Sequence, residues 1–446
     1  MPSDLFVIGK SGARAAKAAL DLTAQNIANV HTEGYQRRTL AVGEITGKAG
    51  IGLDSKISFG GVRIEGVARS SSPFLQAEVR RTTSEAARSG TQIDALRSAE
   101  RAIESANLFP ALTELEASLA QLQNDPLSAP LRAQVIGSGE VAASAFNLAA
   151  RGIENSIEQS QTVLTADVDR FNVLAGELAR INSNLPRTGE QSSARVTLLD
   201  ERDNVLSKMS EISGISVSFD VADRAIVRLN DSSGPVVVTG ASTTPLAVTY
   251  ATNGTASFTL GGSAVTPLAG NIAGQAGALD RFATLTTDLD TVAADLAGRM
   301  NAAQAAGVDQ DGNTGQPFYS GTTAATIAVS LTDGRGFATA PAGSPANSRD
   351  ISNLSALRAS LAADDGPTAS VDDFLFDLST EISSRAITDE ALNAIANSAI
   401  AALSAETAVD LDEEAADLIR FQQAFQASGK VIQTARDIFD TILGLA

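Results

Sequence analysis

A chain of 446 residues exceeds what one hydrophobic core ordinarily organises, roughly 250 to 300 residues, so about two to four domains are expected. Hydrophobic residues make up 43% but aromatic ones only 4%, with no tryptophan, which predicts an aliphatic, alanine-rich core of packed helices rather than aromatic-walled ligand pockets. The net charge of −19 opposes the counterion release that drives nucleic-acid binding, and without cysteine there is no disulfide, thiol nucleophile or thiolate metal site.

No run approaches the ~20 apolar residues a membrane-crossing helix needs, so no membrane insertion is expected. The first twenty residues also lack the continuous apolar stretch of a cleaved secretory signal. From Leu5 the stripe Leu5, Ile8, Gly12, Ala15, Ala19, Leu22 steps by three and four, the heptad spacing that keeps one helix face toward a partner. Its small residues allow close approach. The stripe continues into Asn26 and Asn29, polar positions that weaken packing but can fix register, and the helix is predicted to end at the turn signal Thr32-Glu33-Gly34.

Shorter helical patterns follow between Leu75 and Leu122, with an interruption at Pro110. Ile153, Ile157, Leu164, Phe171, Leu174, Leu178, Ile181 and Leu185 mark a long helix, broken where Pro186 and Gly189 follow. Between Ile215 and Val265 the period changes to two: Ile215, Val217 and Phe219 alternate, as do Val236 and Val238, then Leu246, Val248 and Tyr250. Turn residues separate these runs, so antiparallel strands are predicted. A helix returns from Leu279 to Met300, and the Gly/Pro/Ser-rich stretch from Gly334 to Ser348 reads as a loop. At the far end Leu411, Leu418, Phe421, Phe425, Ser428, Ile432, Ala435, Phe439 and Ile442 share one seam, with Glu414 as the misfit.

The fold class is therefore mixed α and β and multidomain: a long helical coiled-coil or bundle rod built from both chain ends, with an inserted antiparallel β-rich domain. The division expected is a terminal tube domain (1–60 and 405–446), a helical rod domain (61–210 and 275–404) and a β-rich outer domain (211–274). Terminal segments fray unless docked, and a terminal helix with three phenylalanines exposes an interaction patch if left alone. Pattern alone is met equally by an internal coiled coil of the two ends and by contacts between subunits.

Asn26-Ile-Ala-Asn29, Thr32, Gly34-Tyr35 and Arg37-Arg38 resemble the N-terminal motif shared by the bacterial flagellar axial proteins. Leu411-Asp-Glu-Glu414, Phe421-Gln-Gln423, Phe425, Ala427, Val431-Ile-Gln-Thr434 and Phe439-Asp440 are more specific and resemble the flagellar hook-associated protein 1 family. Leu198-Leu-Asp200, Arg202-Asp203 and Leu206, and the block from Leu279 to Tyr319 with Asn301, Gly307, Asp309, Asp311-Gly312 and Phe318, resemble interior segments of that family. Where a His commonly stands in the family, this chain has Gln304.

The resemblance implies a non-catalytic structural subunit at the junction of hook and filament. Its assembly interface would comprise Leu5, Ile8, Ala15, Ala19, Leu22, Asn26, Asn29, Gly34, Tyr35, Leu411, Leu418, Phe421, Phe425, Ile432, Phe439 and Ile442. Implied partners are copies of itself in a ring, the hook protein, the second junction protein on the filament side, and an export chaperone on Leu418, Phe425, Ile432 and Phe439. The implied location is extracellular, in the flagellum, after export through the flagellar type III apparatus. A hook or distal rod subunit, or an exported adhesin or enzyme acting through its β domain, is the alternative.

Catalytic chemistry finds little support. His31, the only histidine, falls in a helix-to-loop turn away from any nucleophile motif. Asp309-x-Asp311-x-Asn313 starts like a calcium loop, but Thr314 and Ser320 occupy the positions that need Gly and Glu, so a turn is expected. Asp200, Glu201, Arg202 and Asp203 read as a solvated or ion-paired helix face. Lys48, Lys56 and Gly60-Gly61 match no phosphate loop. No catalytic, metal-binding or cofactor-binding residue, and no cofactor, is expected.

Overall fold

The computed structural model describes residues 2–32, 34–46, 59–190 and 192–444; Glu33, Lys48 and Lys56 lie outside the described residues. In chain order, α1 (Pro2–Ala28) leads into a hairpin of β1 (Arg38–Thr46) and β2 (Phe59–Arg69). Three helices follow, α2 (Pro73–Ser105), α3 (Leu108–Leu122) and the 56-residue α4 (Ala129–Asn184), then α5 (Ser193–Ile212). The strands β3 (Ile215–Phe219), β4 (Ala225–Leu229), β5 (Val236–Thr239) and β6 (Ser242–Thr243) form one antiparallel sheet in that order, and β7 (Leu246–Tyr250), β8 (Ala256–Leu260) and β9 (Ser263–Val265) form another. After α6 (Gly270–Ala306) come the short β10 (Gly307–Val308), β11 (Tyr319–Ser320), β12 (Ala328–Val329) and β13 (Ala340–Pro341). Helices α7 (Ser352–Leu361), α8 (Pro367–Thr407) and α9 (Leu411–Gly444) complete the chain. The chain is thus mixed α and β, with long helices at both ends and antiparallel strands between them.

Two compact units share these elements: one takes residues Met1–Ser84, Arg170–Pro245 and Asn393–Ala446, the other Glu85–Asp169 and Leu246–Leu392. In the first, α1 packs along α9, the β1–β2 hairpin lies on α1, and α5 packs against β2. The hairpin sits so close that a Cβ on Gly61 would overlap Ser11, whose Oγ accepts the Val62 N–H at 3.1 Å. The end of α4 is clamped to β4 by the fully buried Asn182, whose amide donates to the Ala225 and Gly240 carbonyls and accepts the Ala225 N–H. On the sheet, Ala225, Val227 and Leu229 of β4 are buried, the inward half of its alternation, while the consecutive Val237 and Val238 of β5 are both buried.

The second unit is a helical core of Leu96, Leu115, Leu119, Phe146, Leu279, Phe282, Leu285 and Met300, all almost wholly excluded from solvent. The break predicted at Pro110 falls instead at Asn107, which takes the left-handed φ of 54°. Pro110 itself lies in the first turn of α3, where a missing N–H costs no helical bond. The stretch from Gly334 to Ser348 is a loop with work to do. Its Gly334 and Phe337 carbonyls and Thr339 hydroxyl, together with the Pro126 carbonyl, receive every arm of the buried Arg132. Buried Gln304 accepts the Ala338 N–H at 2.9 Å. At the acidic turn, Asp309 accepts the N–H groups of Asp311 and Asn313 while Gly312 supplies a φ of 86°, so the turn is closed by its own backbone.

Candidate assembly surface

The N-terminal helix starts the site. Gly9 and Gly12 face α9, where a Cβ on Gly9 would come within 2.8 Å of Ile432 Cγ1 and one on Gly12 within 2.9 Å of Ser428 Oγ. The small-residue stripe therefore lets the two backbones meet. Farther along α1, Ala16, Ala19, Leu22 and Asn26 are buried. The polar seam position Asn26 turns inward within its own chain: Nδ2 donates to the Arg38 carbonyl (2.8 Å), and Oδ1 accepts the Arg38 N–H (3.1 Å) and the Tyr35 hydroxyl (2.8 Å). The helix ends at Ala28 and a turn follows, with Asn29 Nδ2 on the Gln25 carbonyl and Gly34 at φ 75°.

The turn delivers Arg37 to the start of α9. Its guanidinium meets Glu414 at 2.7 Å, Glu413 at 3.0 Å and Asp417 at 3.3 Å, and its N–H donates to the Thr407 carbonyl. Asp410 opens α9 by accepting the Asp412 N–H at 2.8 Å. The carboxylates of its first turn also suit the positive end of the helix dipole. Glu414 is only 1% exposed, so the seam's misfit is a buried ion-pair partner. Burial alone would lower the Arg37 pKa; the Glu414 hydrogen bond and the charges of Glu413 and Glu414 more than offset this and hold it above the ordinary arginine value.

Beside this pair a cavity of about 490 Å³ opens between α1, the hairpin and α9, lined by Ala15, Ala19, Leu22, Leu40, Val62 and Phe421 among others. Not all of the α9 seam is used. Leu411, Phe425, Phe439 and Ile442 are exposed, Phe425 by 43% and Phe439 by 54%, as are Ile419, Val431 and Ile438. On α1, Leu5, Phe6 and Val7 are exposed too. Ile8, Ala15, Leu418, Phe421 and Ile432 are half-buried. Of the two arrangements left open by the heptad pattern the internal pair is present, and part of the same seam carries apolar side chains to solvent.

Asp200 and Asp203 are ion-paired. Asp200 accepts from Arg38 (2.7 Å) and Arg69 (3.1 Å), and Asp203 from Arg69 (2.7 Å), Arg202 (2.8 Å) and Gln76 (3.0 Å). Burial pushes the Asp200 carboxyl above the usual carboxylate range even against the charges of Arg38 and Arg69. The sequence showed the carboxylates of this network and Arg202 beside them, but Arg38 and Arg69 come from β1 and β2. Arg37 and Arg38 stood in a motif without a stated role. A signal existed in the acidic run from Asp410 to Glu414, which demands a cation once the two chain ends are placed side by side. His31 is exposed, and among the described residues no group of His, Cys, Asp or Glu side chains is arranged to hold a metal ion.

Comparison with known proteins places this arrangement. The family model for the flagellar hook-associated protein FlgK helical domain matches residues 92–319, just over half of the chain. The chain belongs to the FlgK family. Its ends match two further models: the flagella basal body rod protein at residues 7–36 and the flagellar basal body rod FlgEFG protein C-terminal region at 405–445. These two matches coincide with the α1–α9 pair, while the FlgK helical-domain match lies between them. A flagellar hook-associated protein 1 from Salmonella typhimurium is 27% identical over 71% of this chain, and the chain spans 59% of that relative's length. The Bacillus subtilis protein of the same name is 24% identical, with 96% of this chain and 95% of that protein covered. The solved flagellar hook junction protein FlgK from Burkholderia pseudomallei overlaps with a TM-score of 0.48 at 22% identity, over 56% of this chain and 46% of that one.

Proposed function

We propose that this chain is a structural, non-catalytic subunit of the bacterial flagellum that forms the junction between hook and filament and polymerises through its paired terminal helices. The observation that carries the reading is the α1–α9 pair, closed by Arg37 and Glu414, which leaves Phe425, Phe439 and Ile442 exposed on α9. Membership of the FlgK family supports the junction over a hook or distal rod position, because the helical-domain match is separate from the rod-type matches at the two ends.

In this reading residues 1–60 and 405–446 form the tube, 61–210 and 275–404 the next shell and 211–274 the outer surface. The contacts to other subunits run through Leu5, Ile8 and the exposed α9 residues, while Ala19, Leu22 and Asn26 keep the subunit in shape for them. Partners are further copies in a ring, the hook protein on one side and the second junction protein on the other. The chain reaches this extracellular site through the flagellar type III apparatus, with a chaperone covering Leu418, Phe425, Ile432 and Phe439 beforehand. Electron microscopy of flagella from a strain lacking the protein tests the reading. Hooks without filaments are expected, and filaments of ordinary length on those hooks would refute it.

A further inference from the structure

The buried charges around α5 do not balance. Arg38, Arg69, Arg80 and Arg202 surround Asp200 and Asp203, the only two carboxylates that hydrogen-bond or ion-pair with this group of arginines among the described residues. Adding the neighbouring pair of Arg195 and Asp223 leaves the same surplus of cations. A chain of net charge −19 thus holds a cationic interior at this point. Water can solvate such a surplus but does not neutralise it, and uncompensated buried charge is costly.

Arg80 is the unpaired member. It is 7% exposed, and among the described residues its guanidinium has no hydrogen-bond acceptor; its nearest charges are Asp203, already shared by Arg69, Arg202 and Gln76, and the repelling Arg202. Burial accordingly lowers its pKa. It lines a pocket of about 200 Å³ with Gln36, Gln76, Asn204 and Ser207, beneath the Gly34 turn; Asp203 lines it too, its charge taken up by Arg69 and Arg202. Gln36 is 9% exposed and its Oε1 has no partner; turning that amide over would present its NH2 group instead.

We infer that this pocket binds a small oxyanion, a phosphate or a carboxylate group, held by the Arg80 guanidinium and the amides of Gln36 and Asn204. A guanidinium fork matches paired oxygens in either group, and side-chain amide and hydroxyl donors supply the remaining bonds.

Titration calorimetry of the full chain with inorganic phosphate and, separately, sodium acetate, at ionic strength held constant with sodium chloride, tests the site. Saturable binding of phosphate or of acetate is expected, and which one saturates distinguishes a phosphate occupant from a carboxylate. Arg80→Met should weaken it about tenfold or more, the effect of losing a charge-assisted hydrogen bond, and Arg80→Lys should retain part of it. Asn204→Leu, in the same pocket lining, provides a second reading if Arg80→Met does not fold. No saturable heat with either anion, or equal binding by the wild type and a folded variant, overturns the proposal.

Discussion

The Arg37 guanidinium meets the Glu414 carboxylate at 2.7 Å in the one place where the heptad stripe of α9 breaks. A buried carboxylate in that position is tolerable only because its counter-ion arrives from the turn after α1. Removing one partner of a buried pair leaves the other uncompensated, at a cost of about 3 kcal/mol. Arg37→Ala is therefore expected to lower the urea midpoint of unfolding by the equivalent of that amount. Joint replacement of Arg37 and Glu414 by leucine should recover most of it, and an Arg37→Ala protein as stable as the parent would contradict the pairing.

Asn26 makes a second latch between α1 and the hairpin. Asn26→Ala removes the donor and acceptor that serve the Arg38 backbone and the Tyr35 hydroxyl. A loss of about 2 kcal/mol is expected, since buried backbone groups are left unsatisfied. Limited proteolysis should show faster cleavage near Arg38 in the variant than in the parent.

The paired and the exposed positions of the α9 seam separate stability from attachment. Gly9→Val drives a Cβ against Ile432 and should destabilise the helix pair by about 2 kcal/mol, as overpacking does. For the same reason a charged residue at Ile432 is expected to damage the subunit itself. Phe425→Glu combined with Phe439→Glu touches only exposed positions and should leave the unfolding midpoint within about 0.5 kcal/mol of the parent. Cells carrying that double variant should nonetheless fail to attach filaments; normal motile filaments would show that this face is not an assembly contact.

Glu381 gives the second unit an acid-sensitive brace. Burial alone would raise its pKa, but hydrogen bonds from Arg281 (2.7 Å) and Arg385 (2.9 Å) outweigh that and hold it below the ordinary value of 4.5. A carboxylate with a depressed folded-state pKa adds stability above its unfolded value and loses it as the pH falls through the folded one. The melting-temperature difference between the parent and Glu381→Gln should be full at neutral pH and shrink below about pH 4.5. A difference independent of pH would remove Glu381 from the account.

Both terminal helices, α4, α6 and the strand-rich stretch were legible because each shows a single clear period. Other elements were not. The exposed face of α8 carries Phe376, Ile387, Ile395 and Ile400, so its apolar residues circle the helix and no stripe stands out. The β1–β2 hairpin hides behind glycines and charges: Gly43, Gly60, Gly61 and Gly66 are there because the backbone passes close to Ser11, Ile45 and Glu65 or takes a positive φ, a tertiary demand that local pattern does not reveal. Pro110 read as a break because proline stops helices from within; at a first turn it begins one. The heptad analysis located Glu414 by its failure to fit, but its role required knowing that Arg37 ends up opposite.

Arg37 and Glu414 stand 377 positions apart in the chain. A contact of such long range pays nearly the whole loop-closure entropy before it returns anything, which makes the α1–α9 union a slow, late event in folding. As a chain emerges from its N-terminus, α1 stays without its partner until α9, Leu411–Gly444, has appeared. The joining of the ends therefore acts as a clock: the subunit cannot complete this packing surface until residues 411–444 have been made.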